Sequence, residues 1–290
     1  MHRVGLVVHP KREIGAALET LQEWSTRHGV ELVQVPAVGA ERHVAPSGEA
    51  ADCDLIVALG GDGTTLAALR FAAPAGRPVL GVACGSLGAL TATNAAELEP
   101  ALERVHAGDW TTRRLPSLVV EARASHRALN DLVVVRHGAG QVSISIYHDD
   151  ALYIRFGGDG VVVATPLGSS AYTLAAGGPV IAPGASALVV TPLAPHGGCC
   201  PPLVAGPDAA VRIVLEAGWG GARVELDGQV ETIVEPHGPL VLTARLRPGD
   251  ATLISLGDVE HVLAGLRRRK ILMDSPRMLA RDGRNPVEGV

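Results

Sequence analysis

Apolar and polar positions follow two different patterns along the chain. In the first hundred residues, short apolar runs take turns with helical periodicity. Val4-Gly5-Leu6-Val7-Val8 predicts a buried strand. From about Glu13 to His28, Ile14, Ala17, Leu18, Leu21 and Trp24 recur at helical spacing, and Gly29 supplies a stop. Residues 30–33 predict a second strand. Residues 55–59 predict a third, apolar throughout, as a parallel strand covered on both faces should be. A helix over 64–71, a strand over 78–82 and a helix over 95–106, closed by Gly108, complete the series. Alternating strands and helices predict an open, mostly parallel α/β sheet.

The texture changes near Asp109. From there to Gly257 short β runs dominate, at 118–121, 128–135, 141–147, 161–164, 187–190, 211–215, 224–226 and 240–244, punctuated by Gly, Pro and Asp. This predicts a β-rich, sandwich-like second domain. The expected division is an α/β domain at 1–108, a β-rich domain at 109–257, and a tail at 258–290 returning to the first domain. The tail carries Leu263, Leu266 and the run Arg267-Arg268-Arg269-Lys270, expected as a solvated helix end. Residues 281–286 are expected to be frayed.

Composition narrows the function classes. With 47% apolar residues the chain is not intrinsically disordered. Its net charge of −5 gives it no general attraction to nucleic acid or anionic lipid, so neither partner is expected. No apolar run is long enough for a membrane span, and the amino terminus lacks a signal-peptide pattern. The four cysteines, Cys53, Cys84, Cys199 and Cys200, show no CxxC spacing, so a reducing cytoplasm is the expected location. His196, Cys199 and Cys200 lack a fourth neighbour in sequence, and no metal ligands are assigned among them. His137, His148 and His237 are expected at surfaces or turns.

Three segments carry candidate chemistry. Gly60-Gly61-Asp62-Gly63-Thr64 follows a buried strand and opens a helix, where unpaired N–H groups and the helix dipole favour an anion. A carboxylate is out of place if the only task is to hold phosphate. Asp62 therefore accepts a proton from an attacking hydroxyl, positions Mg²⁺, or simply caps the helix. Arg70, further along the helix, is either a phosphate contact or a solvated side chain. Asn130-Asp131 beside a strand suits the two hydroxyls of a ribose, or an ordinary turn. Gly157-Gly158-Asp159-Gly160, then Thr165-Pro166-Leu167-Gly168-Ser169-Ser170-Ala171-Tyr172, places dense small polar residues after a strand.

In this order the three segments resemble the NAD kinase family, and the resemblance runs from about Val4 to about Lys270. Gly177-Gly178-Pro179, Pro195-His196 and Asp227-Gly228-Gln229 fall where that family has similar segments. The resemblance implies transfer of the γ-phosphoryl of ATP, or of polyphosphate, to the adenosine 2′-hydroxyl of NAD, with Mg²⁺ accompanying the donor. It implies Asp62 as general base, and Gly60, Gly61, Gly63, Thr64 and Arg70 around the donor phosphates. Asn130, Asp131, Asp159, Thr165, Ser170, Ala171, Tyr172, Ala175, His196 and Gln229 would surround the acceptor. A homodimer or homotetramer is the implied assembly.

The sequence also departs from the family. Ala83 stands for a usual Asn, Ala89 for an aromatic, Gly157 for a basic residue and Leu167 for a Thr, and residues 197–201 lack an Arg. Losing an adenine-facing aromatic forfeits stacking of about 1 kcal/mol. These losses sit on the acceptor side. Two alternatives therefore stay open: phosphorylation of a nucleoside or other small hydroxyl compound, and a non-catalytic nucleotide sensor.

Overall fold

The structure is a computed structural model that describes residues 1–37, 41–122, 124–182, 184–236, 238–257 and 262–281. It forms two compact units, Met1–Gly257 and Asp258–Val290. The first half of the larger unit contains β1 (Arg3–Val8), α1 (Gly15–His28), β2 (Glu31–Gln34), β3 (Leu55–Gly60), α2 (Asp62–Ala72), β4 (Pro78–Ala83), β5 (Thr93–Asn94) and α3 (Leu98–His106). The β-rich part has β6 (Thr111–Glu121), β7 (Ser125–Ala128), β8 (Asp131–Arg136), β9 (Val142–His148), β10 (Ala151–Gly158) and β11 (Gly160–Ala164). After the short α4 (Tyr172–Ala175) come β12 (Leu188–Leu193), β13 (Leu203–Ala205), β14 (Ala210–Glu216), β15 (Ala222–Leu226), β16 (Gln229–Val234) and β17 (Leu240–Ser255).

Strands β1 to β5 pair in parallel, as expected. Their side chains divide by alternation. Val7, Ile56, Ala58 and Val79 pack with Leu66, Leu69 and Ala72 of α2. Val4, Leu6, Leu55, Val57, Leu80 and Val82 pack with Leu21 and Trp24 of α1 and with Leu98 and Leu102 of α3. A continuous apolar strand is thus used on both faces, with period two.

The parallel strands belong to a larger sheet whose main order is β10-β9-β14-β17-β4-β3-β1-β2. Strand β17 joins its two halves. Residues 240–245 pair antiparallel with β14, residues 252–253 pair parallel with β4, and β6 runs along it from 243 to 255. A second sheet, β13-β12-β11-β8-β15-β16, is antiparallel. Its inner face (Leu132, Val134, Val161, Val163, Val190, Val224) packs on Val120, Ile144, Ile146, Val211, Ile213 and Leu242, forming the expected sandwich.

In the smaller unit, α5 (Val262–Arg268) ends in the basic run, and Arg267 pairs with Asp274 at 2.6 Å; α6 (Pro276–Arg281) follows. Of the expected frayed end, only Arg281 is described; 282–286 lie outside the described residues, as does His237. All four cysteines are free. Among the described residues no helix is long and apolar enough to cross a membrane.

Candidate active site

Helix α2 starts at Asp62, two residues before the expected start, so Asp62 sits in its first turn. Gly61 precedes it in extended conformation, and no side chain caps the helix. The first N–H groups therefore remain available to an anion. The Asp62 carboxylate turns away from them. It accepts the backbone N–H of Ala89 at Oδ2 (2.9 Å) and of Leu90 at Oδ1 (2.9 Å) in the loop after β4. Each oxygen keeps a further lone pair. Gly88 allows this approach, since a Cβ there would lie 2.0 Å from Asp62 Oδ1.

No sequence motif announces Arg12. His9 Nδ1 accepts the backbone N–H of Lys11 (3.1 Å) and Arg12 (2.9 Å), which turns the chain after β1. The Arg12 guanidinium then reaches the tetrad. Nη1 donates to the Gly60 carbonyl (3.3 Å) and would lie 3.0 Å from a Cβ built on Gly61. Arg42 donates to the Arg12 carbonyl at 2.7 Å. A cation thus stands over the glycines, supplied by a loop with no recognisable motif.

Asn130 and Asp131 lie where an uninterrupted strand over 128–135 is expected. The structure instead breaks the strand at Leu129 and Asn130, because their N–H groups turn to Asp227. Its carboxylate accepts Leu129 (2.9 Å), Asn130 (2.7 Å) and Asp131 (3.3 Å). Asp131 is 5% exposed. Burial, with Asp227 and Glu225 nearby, pushes its carboxyl up to about 7. Burial also raises Asp227, opposed by the N–H groups it accepts and by Arg70.

The segment after β11 folds onto this break. The Thr165 N–H donates to the Asn130 carbonyl (2.9 Å), and Thr165 Oγ1 donates to the Leu129 carbonyl (2.6 Å). Ser169 Oγ donates to the Pro166 carbonyl (2.7 Å) and accepts the Ile181 N–H (2.9 Å). Ser170 Oγ donates to the Leu167 carbonyl. A Cβ on Gly168 would sit 2.0 Å from the Asn130 carbonyl oxygen and 2.4 Å from its carbon, both backbone atoms. Gly168→Ala is therefore expected to cost about 1–3 kcal/mol by overpacking, read as a lowered urea midpoint. Gly206→Ala, with open space around it, serves as the neutral control.

The donor and acceptor segments share one apolar cluster. Leu90, next to the Asp62 anchor, packs in the same group as Leu66, Leu129 and the half-buried Leu167. Leu66 and Leu90 beside Asp62, Leu129 beside Asn130, and Leu167 of the 165–171 loop thus belong to one core. The remaining sites spread along the second sheet. Asp159 ion-pairs with Arg136 (2.6 Å) at the far end of β8, five residues or about 16 Å from Asp131. There it lines a concavity of about 610 Å³ with Tyr172, Ala176, Arg223 and His137. Ala171 and Ala175 are exposed beside it. The His196 ring Nδ1 bonds Gln141 Oε1 (2.8 Å), and the His196 backbone N–H donates to the Gly157 carbonyl (2.8 Å). Gln229 lies exposed just past the Asp227-Gly228 turn.

Arg70 is not at the tetrad. It sits near the other end of α2, with its nitrogens turned to protein acceptors: the Arg127 and Leu226 carbonyls and the Glu231 carboxylate.

Comparison with known proteins fits this arrangement. The ATP-NAD kinase N-terminal domain model matches residues 5–110, and the C-terminal domain model matches 129–246. The NAD kinase of Heliobacterium modesticaldum is 36% identical, over 93% of this chain and 95% of its own length. The chain belongs to the ATP-NAD kinase family. The NAD kinase of Symbiobacterium thermophilum is 40% identical over 79% of this chain and 85% of its own. Two solved structures share the fold. Yeast NADH kinase complexed with NADH has a TM-score of 0.75 at 21% identity, covering 95% of this chain and 89% of that one. An Archaeoglobus fulgidus NAD kinase in complex with ATP has 0.69 at 23%, covering 91% and 98%.

One departure from the ATP-NAD kinase pattern now has a physical reason. A Cβ at Gly157 would lie 2.9 Å from Gln141 Nε2, so the Gln141 side chain fills the space that a basic residue at 157 would enter.

Proposed function

We propose that this chain transfers the γ-phosphoryl group of ATP to the adenosine 2′-hydroxyl of NAD, giving NADP. The observation that carries the reading is the Asp62 carboxylate, anchored on two amides beside an uncapped helix N-terminus, and sharing an apolar cluster with the Asn130-Asp131 segment. Phosphoryl transfer asks for positioning and charge stabilisation more than for covalent chemistry. The tetrad amides and Arg12 face the donor phosphates. Asp62 takes the proton of the attacking hydroxyl. Asn130, Asp131 and the 165–171 loop hold the acceptor ribose, and the dinucleotide extends along α4 towards Asp159 and Tyr172.

Mg²⁺ would accompany the triphosphate, and Asp62 carries hard oxygen donors, one of which would help hold such an ion while the other serves as base. What it supplies when bound is neutralisation of charge on the phosphate oxygens. The reading includes a cytoplasmic location and a homodimer or homotetramer. Exposed Val204, Val230, Ile233 and Val241 offer apolar area for subunit contact.

Incubating the protein with ATP, Mg²⁺ and a panel of NAD, NADH, adenosine and other nucleosides tests the reading by product mass. NADP formation supports it. Phosphorylation of a nucleoside alone favours the second reading, a diverged acceptor, for which the Gln141-filled space at Gly157 is the motivating observation. Silence across the panel favours a nucleotide sensor. Arg12→Ala is expected to raise the KM for ATP about tenfold and leave the KM for NAD unchanged. That is the scale of one lost charge-assisted hydrogen bond. Steady-state kinetics with each substrate varied in turn check it.

A further inference from the structure

Asp227 and Gly228 both have positive φ, 51° and 74°, and link β15 to β16 as a two-residue turn of the type I′ kind. The turn does more than reverse the chain. The Asp227 carboxylate collects three consecutive N–H groups, those of Leu129, Asn130 and Asp131, and its own N–H donates back to the Asp131 carbonyl (3.0 Å). The candidate acceptor pair is therefore shaped by a residue nearly one hundred positions away.

Something must in turn hold Asp227, and the residue placed to do so is Arg70. Its Nε donates to the Arg127 carbonyl (3.1 Å) and lies 3.9 Å from Asp227 Oδ2. Nη1 donates to the Leu226 carbonyl (3.3 Å), the residue before Asp227, and Nη2 pairs with Glu231 beyond the turn. The Arg70 side chain is 12% exposed. One planar fork thus grips β7, β15 and β16 together, a geometry that suits guanidinium rather than ammonium. Arg70 and Asp62 ride on the same helix, eight residues or about 12 Å apart.

Resting on the reading of Asn130-Asp131 as the acceptor pair, we propose that Arg70 is a positioning residue. Through Asp227 it fixes the acceptor motif relative to the helix that carries the general base. The phosphate contact implied by the family resemblance is then the work of Arg12.

The test varies Arg70 and Asp227 together. Arg70→Met is expected to raise the KM for NAD tenfold or more while the KM for ATP stays within twofold. Arg70→Lys keeps the charge but not the fork, and should recover part of the loss. In an Asp227→Asn background, Arg70→Met should add less than threefold, because both act on one structure. Hydrogen exchange, which needs no turnover, should show faster exchange at residues 129–131 in Arg70→Met and, to a smaller extent, in Arg70→Lys. A larger rise in the KM for ATP than for NAD, fully multiplicative effects in the double variant, or unchanged exchange at 129–131 would each overturn the proposal. If the wild type makes no NADP, the functional reading fails on its own. The exchange experiment still decides whether Arg70 organises the motif.

Discussion

Asp62→Asn is expected to lower turnover by 10²-fold or more while nucleotide binding stays within a few-fold of wild type. The size follows from the usual contribution of a positioned general base. An Asn keeps the shape of Asp but cannot take a proton from a sugar hydroxyl. Its amide also accepts only one of the two N–H groups from Ala89 and Leu90, leaving a donor facing a donor. A modest stability loss of about 1 kcal/mol should accompany the loss of turnover. Single-turnover phosphorylation measures the chemistry, and calorimetric titration with ATP measures the binding. Turnover near the wild-type rate would remove Asp62 from the proton transfer.

The second large effect concerns pH. Asp131 is held at about 7 in the folded chain, against 3.8 for the free group, first by burial and then by Asp227 and Glu225. The folded state therefore keeps a proton that the unfolded chain releases. The stability this confers is complete below about pH 4 and disappears as pH rises through 7. At 1.36 kcal/mol per tenfold change in proton affinity, the gap amounts to on the order of 4 kcal/mol. Asp131→Asn removes the dependence. Between pH 5 and pH 8 about 2.7 kcal/mol of this is lost, so the wild type should lose roughly 5 °C of Tm relative to that variant, taking about 2 °C per kcal/mol for a chain of this size. Acceptor binding should run the other way, improving above pH 7 as the ionised carboxylate becomes available to ribose hydroxyls. Parallel melting curves for the two proteins across this range would mean that the Asp131 carboxyl is not held as described.

Local patterns in the sequence carried much of the fold. The period-two apolar strands and the helical spacing around Leu21 and Trp24 led directly to the parallel half, and the Gly-Gly-Asp-Gly tetrad led to an open helix terminus. What the sequence hid were the long-range partnerships. Only the part of β17 over 240–244 was legible; the rest, through Pro248 and Gly249 to Ser255, has the composition of a loop. It becomes a strand because β6 and β4 supply partners. Strands β10, β13 and β16 were missed for a similar reason: β16 is exposed at nearly every position and shows no apolar alternation. The strand expected over 128–135 is interrupted because Asp227 competes for its amides, and no local signal announces a competitor 97 residues away. Arg70 turns away from the tetrad, and Arg12, which no motif marks, reaches it, for the same reason. A guanidinium on a long stem is placed by its acceptors, and those of Arg70 lie 57 to 161 positions along the chain.

Because β17 lends its first residues to β14 and its later ones to β4, the segments matched by the two family models are not portable modules. A fragment ending after α3 would expose the Pro78–Val79 part of the β4 edge, which β17 covers in the whole chain, inviting foreign pairing and precipitation. Grafting one half onto a different protein would need a surrogate for that single strand.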